Sequence, residues 1–306
     1  MNLPGLRIFV VPIMALSIQA PLPGIVINNT NTLGYVTGNA DYTGVVEIAF
    51  NKVGQSGTYV CTGSLVSPTQ ILTAGHCISG AEHWNVTFQT ASGRPSIGVS
   101  GSILDPSFGP LGTTGLDVYD VGLLTLSEIA PLNAQIYKLD LAPSDFVFGS
   151  SIVDMVGYGL GGNPSAPIAP LNGPPTDPRR HAQNTIAGVV GSVDGVPTPD
   201  LPLYAWLTFI QGSTAGTGLP NGGDSGGPLF YNGEILGVTS FGDLPRTGSY
   251  EYDVQYLGAF ANIANPVIGT WLESEIVPEP GTWVLMGLGA LALSPALRRR
   301  AGRRVS

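Results

Sequence analysis

Two short motifs, far apart in the chain, most constrain what this sequence can fold into. Residues 223–228 read GDSGGP, and residues 73–77 read TAGHC. A serine hydroxyl is a poor nucleophile near neutral pH unless a neighbouring imidazole takes its proton. If the two motifs act together, the fold must bring Ser225 and His76 into one site.

Residues 223–227 also fit the Gly-x-Ser-x-Gly nucleophile elbow of α/β-hydrolases. That fold takes its catalytic residues in the order Ser, acid, His, so it needs a histidine after the serine. The three histidines, His76, His83 and His181, all precede Ser225. The elbow is therefore excluded, and His76 is the candidate base. We expect His83 and His181, which lack the AGHC context, to be solvated surface histidines.

Two aspartates compete for the role of the acid that would orient His76. Asp120 opens an apolar run, residues 121–126, which predicts a buried strand and so a carboxylate shielded from water at the strand entrance. Asp117 belongs to the preceding polar loop and is the alternative. We favour Asp120.

Four blocks of the sequence resemble, in the same order, the trypsin/chymotrypsin-like serine proteases. They are residues 61–66 (CTGSLV), 72–77 (LTAGHC), 120–126 (DVGLLTL) and 222–228 (GGDSGGP). The resemblance extends from about residue 35 to 276. It implies hydrolysis of peptide bonds in protein or peptide substrates through an acyl-enzyme intermediate, without a metal or other cofactor. His76 would be the base, Asp120 the orienting acid and Ser225 the nucleophile.

The glycine-rich turn also implies a site for the oxyanion that forms when the serine attacks a carbonyl group. Backbone N–H groups stabilise such an oxyanion best where side chains do not intrude. The resemblance assigns the two donors to the amides of Gly223 and Ser225.

The resemblance also implies the substrate-binding residues. Leu219, six positions before the nucleophile, would lie at the base of the specificity pocket, and Ser240, Phe241 and Gly242 would form the wall that pairs with substrate backbone. A leucine cannot neutralise a buried arginine or lysine side chain. We therefore expect cleavage next to a neutral, small or apolar side chain.

Asp224 beside the nucleophile needs a cationic partner if it is buried. In the family that partner is the α-ammonium group released when a pro-segment is cut away. Near the start of this chain, the one Ile-Val pair is Ile25-Val26, and it follows Gly24 rather than arginine or lysine. The sequence leaves the partner of Asp224 open.

Cys61 and Cys77 are the two cysteines of the chain. By the resemblance they form a disulfide across the loop of the active-site histidine, and two free thiols are the alternative. A loop of this size contributes roughly 3 kcal/mol in the chain-entropy model. A disulfide indicates an oxidising compartment.

Both ends of the chain indicate export. Residues 1–20 fit a secretory signal peptide, with Arg7 before an apolar core. Residues 277–306 contain a Pro-Glu-Pro motif, an apolar segment at 282–297 and a basic end. These parts resemble a PEP-CTERM sorting tail, which implies processing by an exosortase and a bacterial cell-surface or extracellular location. The segment 282–297 predicts a transmembrane helix as the chain's membrane contact before processing. A plain membrane anchor is the alternative.

Between these ends, residues 21–276 form the predicted protease domain. It holds 6 basic and 20 acidic residues, so nucleic acid is excluded as a partner. Many short β-rich runs separated by turns predict an all-β fold. We expect two packed six-stranded antiparallel β-barrels of the chymotrypsin-like kind, with a crossover near 132–143 and a C-terminal helix.

Two functions from different classes remain compatible with the sequence. The first is an active, exported serine endopeptidase without trypsin-like specificity. The second is a catalytically silent homologue that keeps the fold as a cell-surface or extracellular-matrix binding protein. Silent homologues usually lose a catalytic residue, and this chain keeps all three, so the sequence favours the enzyme.

Overall fold

A computed structural model describes most of the predicted protease domain. The described residues are 25–27, 37–110, 117–147, 150–159, 179–189, 192–193, 196–197, 204–209, 218–243 and 256–276. The predicted signal peptide and sorting tail lie outside them.

The described residues form short strands, one 3₁₀ turn and one α-helix. In chain order they are β1 Val26–Ile27, β2 Val45–Lys52, β3 Tyr59–Ser67, β4 Gln70–Thr73, the 3₁₀ turn Gly75–Cys77, β5 Ala81–Thr87, β6 Ser96–Leu104, β7 Gly109–Pro110, β8 Asp117–Val118, β9 Gly122–Leu126, β10 Ile152–Gly157, β11 Arg180–Val189, β12 Ser192–Val193, β13 Val196–Pro197, β14 Tyr204–Phe209, β15 Gly218–Leu219, β16 Pro228–Tyr231, β17 Glu234–Asp243, β18 Tyr256–Asn262 and α1 Pro266–Glu275.

The first closed barrel joins six antiparallel strands in the order β2-β3-β4-β9-β6-β5. Side chains alternate between the two faces of a strand, and β2 shows the pattern clearly. Val46, Ile48 and Phe50 are buried, whereas Glu47 and Ala49 between them are half-buried. Burial of this apolar set fixes the register of β2 against β3 and β5.

The second closed barrel joins β10-β11-β14-β18-β17-β16, also antiparallel. Its own core includes Val153, Met155, Leu229 and Phe260, and Ile25 from the start of the described chain packs into the same cluster. Ile25 is thus an integral part of the core of the second barrel.

The connection between the barrels runs from the end of β9 at 126 to the start of β10 at 152. Helix α1 follows the last strand. It begins with Asn265 as its N-cap, whose side chain accepts a hydrogen bond from the N–H of Val267 at 3.0 Å. Ile268 and Leu272 bury its apolar face. The prediction of an all-β fold with two six-stranded barrels and a C-terminal helix is confirmed.

The expectation of a transmembrane helix is wrong for the part of the chain that the structure describes. None of its helices is long and apolar enough to cross a membrane. Helix α1 has 10 residues, and a helix of that length rises about 15 Å, half of a hydrocarbon core. The segment on which the expectation rested, 282–297, lies outside the described residues.

Candidate active site

The pairing of β4 with β9 brings His76 and Asp120 together. Thr73 at the end of β4 pairs with Gly122 at the start of β9. The chain leaves β4 into the 3₁₀ turn that carries His76, while Asp120 stands two residues before β9. His76 donates its backbone N–H to Asp120 Oδ1 at 2.8 Å, and its Nδ1 lies 2.8 Å from Asp120 Oδ2.

Asp120 is almost fully buried, and each of its hydrogen bonds favours the ionised form. Besides the two contacts with His76, Oδ2 accepts a 2.6 Å hydrogen bond from the hydroxyl of Ser240. Burial acts to raise the pKa of Asp120, but the charge of His76 and these hydrogen bonds outweigh it and lower the pKa. Asp120 is therefore a carboxylate that can orient an imidazole and stabilise its protonated form.

His76 has the complementary shift. Burial acts to lower its pKa, but the charge of Asp120 and the hydrogen bond to it prevail, so the pKa is raised above 6.5. Its Nδ1 is held by Asp120, which leaves Nε2 as the ring nitrogen that can take a proton from a nucleophile.

Asp117, the alternative acid, lies in β8 and is half-buried. Burial and the neighbouring charge of Asp120 raise its pKa. The carboxylate that contacts Nδ1 of His76 is that of Asp120.

The turn of Ser225 is attached to both barrels by backbone hydrogen bonds. Its carbonyl oxygen accepts from the N–H of Thr62 in β3 at 2.8 Å, and the N–H of Gly226 donates to Thr239 O in β17 at 2.7 Å. The hydroxyl of Thr62 also donates to Gly223 O at 2.9 Å. These bonds fix the turn at the boundary between the barrels.

Gly226 has to be glycine for two reasons. Its φ of +83° lies in the region that side chains disfavour. A Cβ atom there would also lie 2.0 Å from Thr73 Oγ1 and 2.2 Å from Thr62 O. Any side chain would push the turn away from β3 and β4.

Two amides of the turn have no hydrogen-bond acceptor in the part of the chain that the structure describes. The N–H groups of Asp224, Gly226 and Gly227 donate to carbonyl oxygens of the protein. Those of Gly223 and Ser225 have no acceptor among the described residues. These two amides are the ones assigned to the oxyanion site.

Cys61 and Cys77 are joined by a disulfide with an Sγ–Sγ distance of 2.00 Å. Cys61 precedes Thr62, which holds the turn of Ser225, and Cys77 follows His76. The bridge therefore connects the turn that carries His76 to strand β3, whose Thr62 holds the turn of Ser225.

Ser225 and His76 lie near each other in the structure. No hydrogen bond joins their side chains among the described contacts. His76 Nε2 lies 3.7 Å from Cys77 Sγ, which in turn lies 3.8 Å from the carbonyl oxygen of Ser225. Ser225 is half-buried, so part of it is open to solvent. Such contacts are often long without substrate and shorten when substrate binds.

Asp224 points away from this site and into the second barrel. Its Oδ2 accepts from the N–H of Ile25 at 3.0 Å and of Asn221 at 2.8 Å, and Oδ1 accepts from the N–H of Gly159 at 2.8 Å. Burial raises the pKa of Asp224 to about 7, and these three amides and the charge of Arg180 oppose that rise.

Of the predicted substrate-binding residues, Leu219 pairs with Val26 between β15 and β1. Phe241 and Gly242 lie in β17, opposite Ala259 and Gly258 of β18. The side chains of Leu219 and Phe241 lie outside the described part of the structure.

Two site contacts were missed by the sequence analysis. Ser240, expected in the substrate-binding wall, contacts Asp120. The signal available in the sequence for this contact was that Ser240, a hydroxyl residue, continues the apolar run of β17. Lys52, at the end of β2, donates from Nζ to the carbonyl oxygen of His76 at 3.2 Å, and nothing in the sequence pointed to that contact.

The other histidines differ from each other. His83 is exposed, as expected. His181 is half-buried in β11, with its ring 5.9 Å from that of Tyr42, so the expectation of a solvated histidine is corrected. The strand pairing of β11 with β10 leaves it only partly exposed.

One group of side chains has the residue types of a metal site. Ligand atoms of Cys61, His76 and Cys77 lie within 4.8 Å of one another. Both sulfur atoms are bonded to each other, so neither is a thiolate that could bind a metal ion. This group does not fit a metal.

Comparisons with known proteins agree with the geometry. The family model described as Trypsin matches residues 36–263, and the model of the PEP-CTERM protein-sorting motif matches residues 277–304. Brachyurin of Leptuca pugilator is 31% identical over 198 residues, which cover 60% of this chain and 76% of brachyurin. The cercarial protease of Schistosoma mansoni is 30% identical over 200 residues, covering 60% of this chain and 70% of that protease.

Solved structures share the fold. A structure of HL collagenase superposes with a TM-score of 0.58 and 18% identity, covering 80% of this chain and 98% of the collagenase. A structure of GrC gives a TM-score of 0.59 with 19% identity, covering 78% of this chain and 96% of GrC. From the family match, the chain belongs to the trypsin family and contains a serine protease domain of that family, followed by a PEP-CTERM sorting motif.

Proposed function

We propose that this protein is an exported serine endopeptidase that cleaves peptide bonds with His76, Asp120 and Ser225. The observation that carries the proposal is the hydrogen-bonded pair His76–Asp120 beside the anchored turn of Ser225. Nδ1 of His76 is occupied by a buried carboxylate, so Nε2 is available to the serine hydroxyl.

In the proposed reaction, Nε2 of His76 takes the hydroxyl proton of Ser225 as Oγ attacks the substrate carbonyl carbon. The carbonyl oxygen becomes an oxyanion, which the free amides of Gly223 and Ser225 would bind. Protonated His76 then gives its proton to the leaving amine, and an acyl-enzyme remains. Water, deprotonated by His76, releases the acid product and restores the serine.

A cut between Gly24 and Ile25 is proposed to increase the activity of the protease. Ile25 N lies 3.0 Å from Asp224 Oδ2. In the uncut chain, Ile25 has a φ of +65°, a conformation that β-branched residues strongly disfavour. A cut at this bond would remove that restriction and turn the amide into an ammonium group beside a buried carboxylate.

The substrate preference is proposed to be for a neutral, small or apolar side chain, because Leu219 stands where a trypsin-like site needs a carboxylate. The sorting motif at 277–304 implies an exported protein whose tail an exosortase processes. We propose that the mature domain acts at the bacterial cell surface or outside the cell.

Hydrolysis by purified protein tests the proposal. The wild type, Ser225→Ala and His76→Ala are compared on an unstructured protein such as casein, with Ser79→Ala as a matched control because Ser79 is exposed on the turn that follows His76. We expect cleavage by wild type and the control, and loss of at least about 1,000-fold in the other two. Intact casein with correctly processed wild type would support the binding protein instead.

The new ends of the peptides test the specificity separately. We expect neutral residues before the cut bonds. A preference for arginine or lysine at that position would contradict the role proposed for Leu219 and leave the catalytic assignment intact.

A further inference from the structure

Arg180 is a fully buried arginine that the proposed reaction does not use. Its side chain has no exposed surface. A guanidinium group keeps its charge in proteins, and an isolated buried charge is costly. Such a residue is retained inside a fold where a negative group lies close enough to offset that cost.

The register of β10 and β11 indicates which negative group lies near Arg180. Arg180 stands directly opposite Gly157 in the antiparallel pair, and residues directly opposite each other project from the same face of a sheet. A Cβ atom on Gly157 would lie 2.0 Å from Asp224 Oδ1. The Asp224 carboxylate therefore occupies the space that a side chain of Gly157 would fill, on the face from which Arg180 projects.

The groups around Asp224 come from several elements. The amide of Ile25 precedes β1, that of Gly159 follows β10, and that of Asn221 belongs to the turn itself. Arg180 in β11 is a charged group that acts on Asp224: burial raises the pKa of Asp224 most strongly, the three amides oppose that rise, and the charge of Arg180 opposes it as well.

We propose that Arg180 is a positioning residue that gives Asp224 a permanent positive partner, so that the turn of Ser225 keeps its working shape before any cut at Ile25. The inference rests on the proposed function for its kinetic consequence. Asp224 is adjacent to Ser225 in the chain, and its carboxylate fixes the turn that carries the free amides of Gly223 and Ser225. The uncut chain is then an active protease, and the ammonium group of Ile25 adds to a site that already works.

Two forms of the protein test this inference. The uncut form begins at residue 21, with its intact amino terminus verified by mass spectrometry, and the cut form begins at Ile25. In each form, Arg180→Met removes the charge at similar size, Arg180→Lys keeps it, and Arg94→Met is the control for loss of an arginine in the other barrel. The rate of labelling by a fluorophosphonate reports the geometry of the nucleophile turn.

We expect uncut wild type to label within about tenfold of the cut form. Arg180→Met should slow labelling of the uncut form by about 30-fold or more and that of the cut form by less than about threefold, because the ammonium group replaces the lost charge. Arg180→Lys should restore most of the rate in the uncut form. Equal losses in both forms, or no loss in the uncut form, would overturn the inference.

Titration of Asp224 tests the inference independently of the labelling rate. In uncut Ser225→Ala protein with ¹³C-labelled aspartate, the Asp224 signal, assigned with Asp224→Asn, gives its pKa. Arg180→Met should raise that pKa by at least about 1 unit, and Arg180→Lys should not. An unchanged pKa would overturn the inference. If wild type labels in neither form, the proposed function fails, and the titration still decides the role of Arg180.

Discussion

The hydroxyl of Ser240 donates a 2.6 Å hydrogen bond to Oδ2 of Asp120, and this contact joins the two barrels at the site. Asp120 stands before β9 of the first barrel, and Ser240 lies in β17 of the second. The orientation of His76 therefore depends on how the barrels pack, because the same oxygen of Asp120 contacts Nδ1 of His76.

Replacing Ser240 tests this dependence. Ser240→Ala removes one of the hydrogen bonds that favour the charged form of Asp120, and bonds of this kind contribute about 1.5–3 kcal/mol. We expect kcat/KM for a peptide substrate to fall by about tenfold or more. Ser274→Ala, an exposed serine on α1, is the control and should leave kcat/KM unchanged. Equal activity of both variants would show that the contact is dispensable.

Replacement of Asp120 and replacement of Asp117 should have very different effects on kcat. Asp120→Asn keeps the shape of the side chain but loses the charge and favours the wrong tautomer of His76, so kcat should fall by about 10,000-fold. Asp117→Asn should change kcat by less than about threefold, because the Asp120 carboxylate is the one that contacts Nδ1 of His76. Steady-state kinetics of the two variants decide the assignment. A large loss in Asp117→Asn alone would reverse it.

His76 should hold its proton more tightly in the folded protein than in the unfolded chain. In Ser225→Ala protein, NMR titration should give His76 a pKa above 6.5, and Asp120→Asn should lower it. Because folding raises the pKa of His76, this pair stabilises the folded protein fully below about pH 6.5. That stabilisation is lost as the pH rises through the pKa of His76 in the folded protein. Activity needs neutral His76, so kcat/KM should rise over that same range. A pKa below 6.5 would contradict the pairing.

Two glycines with similar backbone conformations give a matched test of the nucleophile turn. Gly226 and Gly233 have φ values of +83° and +81°, so alanine is disfavoured at both to a similar degree. A Cβ on Gly226 meets Thr73 and Thr62, whereas one on Gly233 meets no atom within 4 Å. Gly233→Ala should lower the free energy of unfolding by about 1 kcal/mol and keep activity.

Gly226→Ala should destabilise the protein more than Gly233→Ala does, and it should also disturb the active site. We expect at least about 3 kcal/mol of destabilisation, measured by urea unfolding, together with a loss of activity. Similar stabilities of the two variants would mean that the turn can move away from β3 and β4 without cost.

The sequence predicted the two barrels and the pairing of His76 with Asp120 because local signals coincide there. The apolar run after Asp120 identified β9, and the glycine-rich motif identified the turn of Ser225. The expected acid then faces His76 because the register of β4 and β9 brings the adjoining segments together. Motif order and strand pattern were sufficient for this part.

Contacts between segments distant in sequence could not be predicted in the same way. Ser240 meets Asp120 through the packing of one barrel on the other, which no local pattern encodes. Arg179 and Arg180, next to His181 in a basic triplet, look like surface residues in the sequence, yet both are fully buried. For Arg180 the reason is its register with Gly157, which places it on the face occupied by Asp224.

Mapping the adduct of a fluorophosphonate tests the central claim most directly. The protein is labelled, digested and analysed by mass spectrometry, and the modified peptide is sequenced. The account predicts one adduct, on Ser225, which disappears in His76→Ala protein. An adduct on another serine, or an unmodified Ser225 in folded wild-type protein, would contradict it.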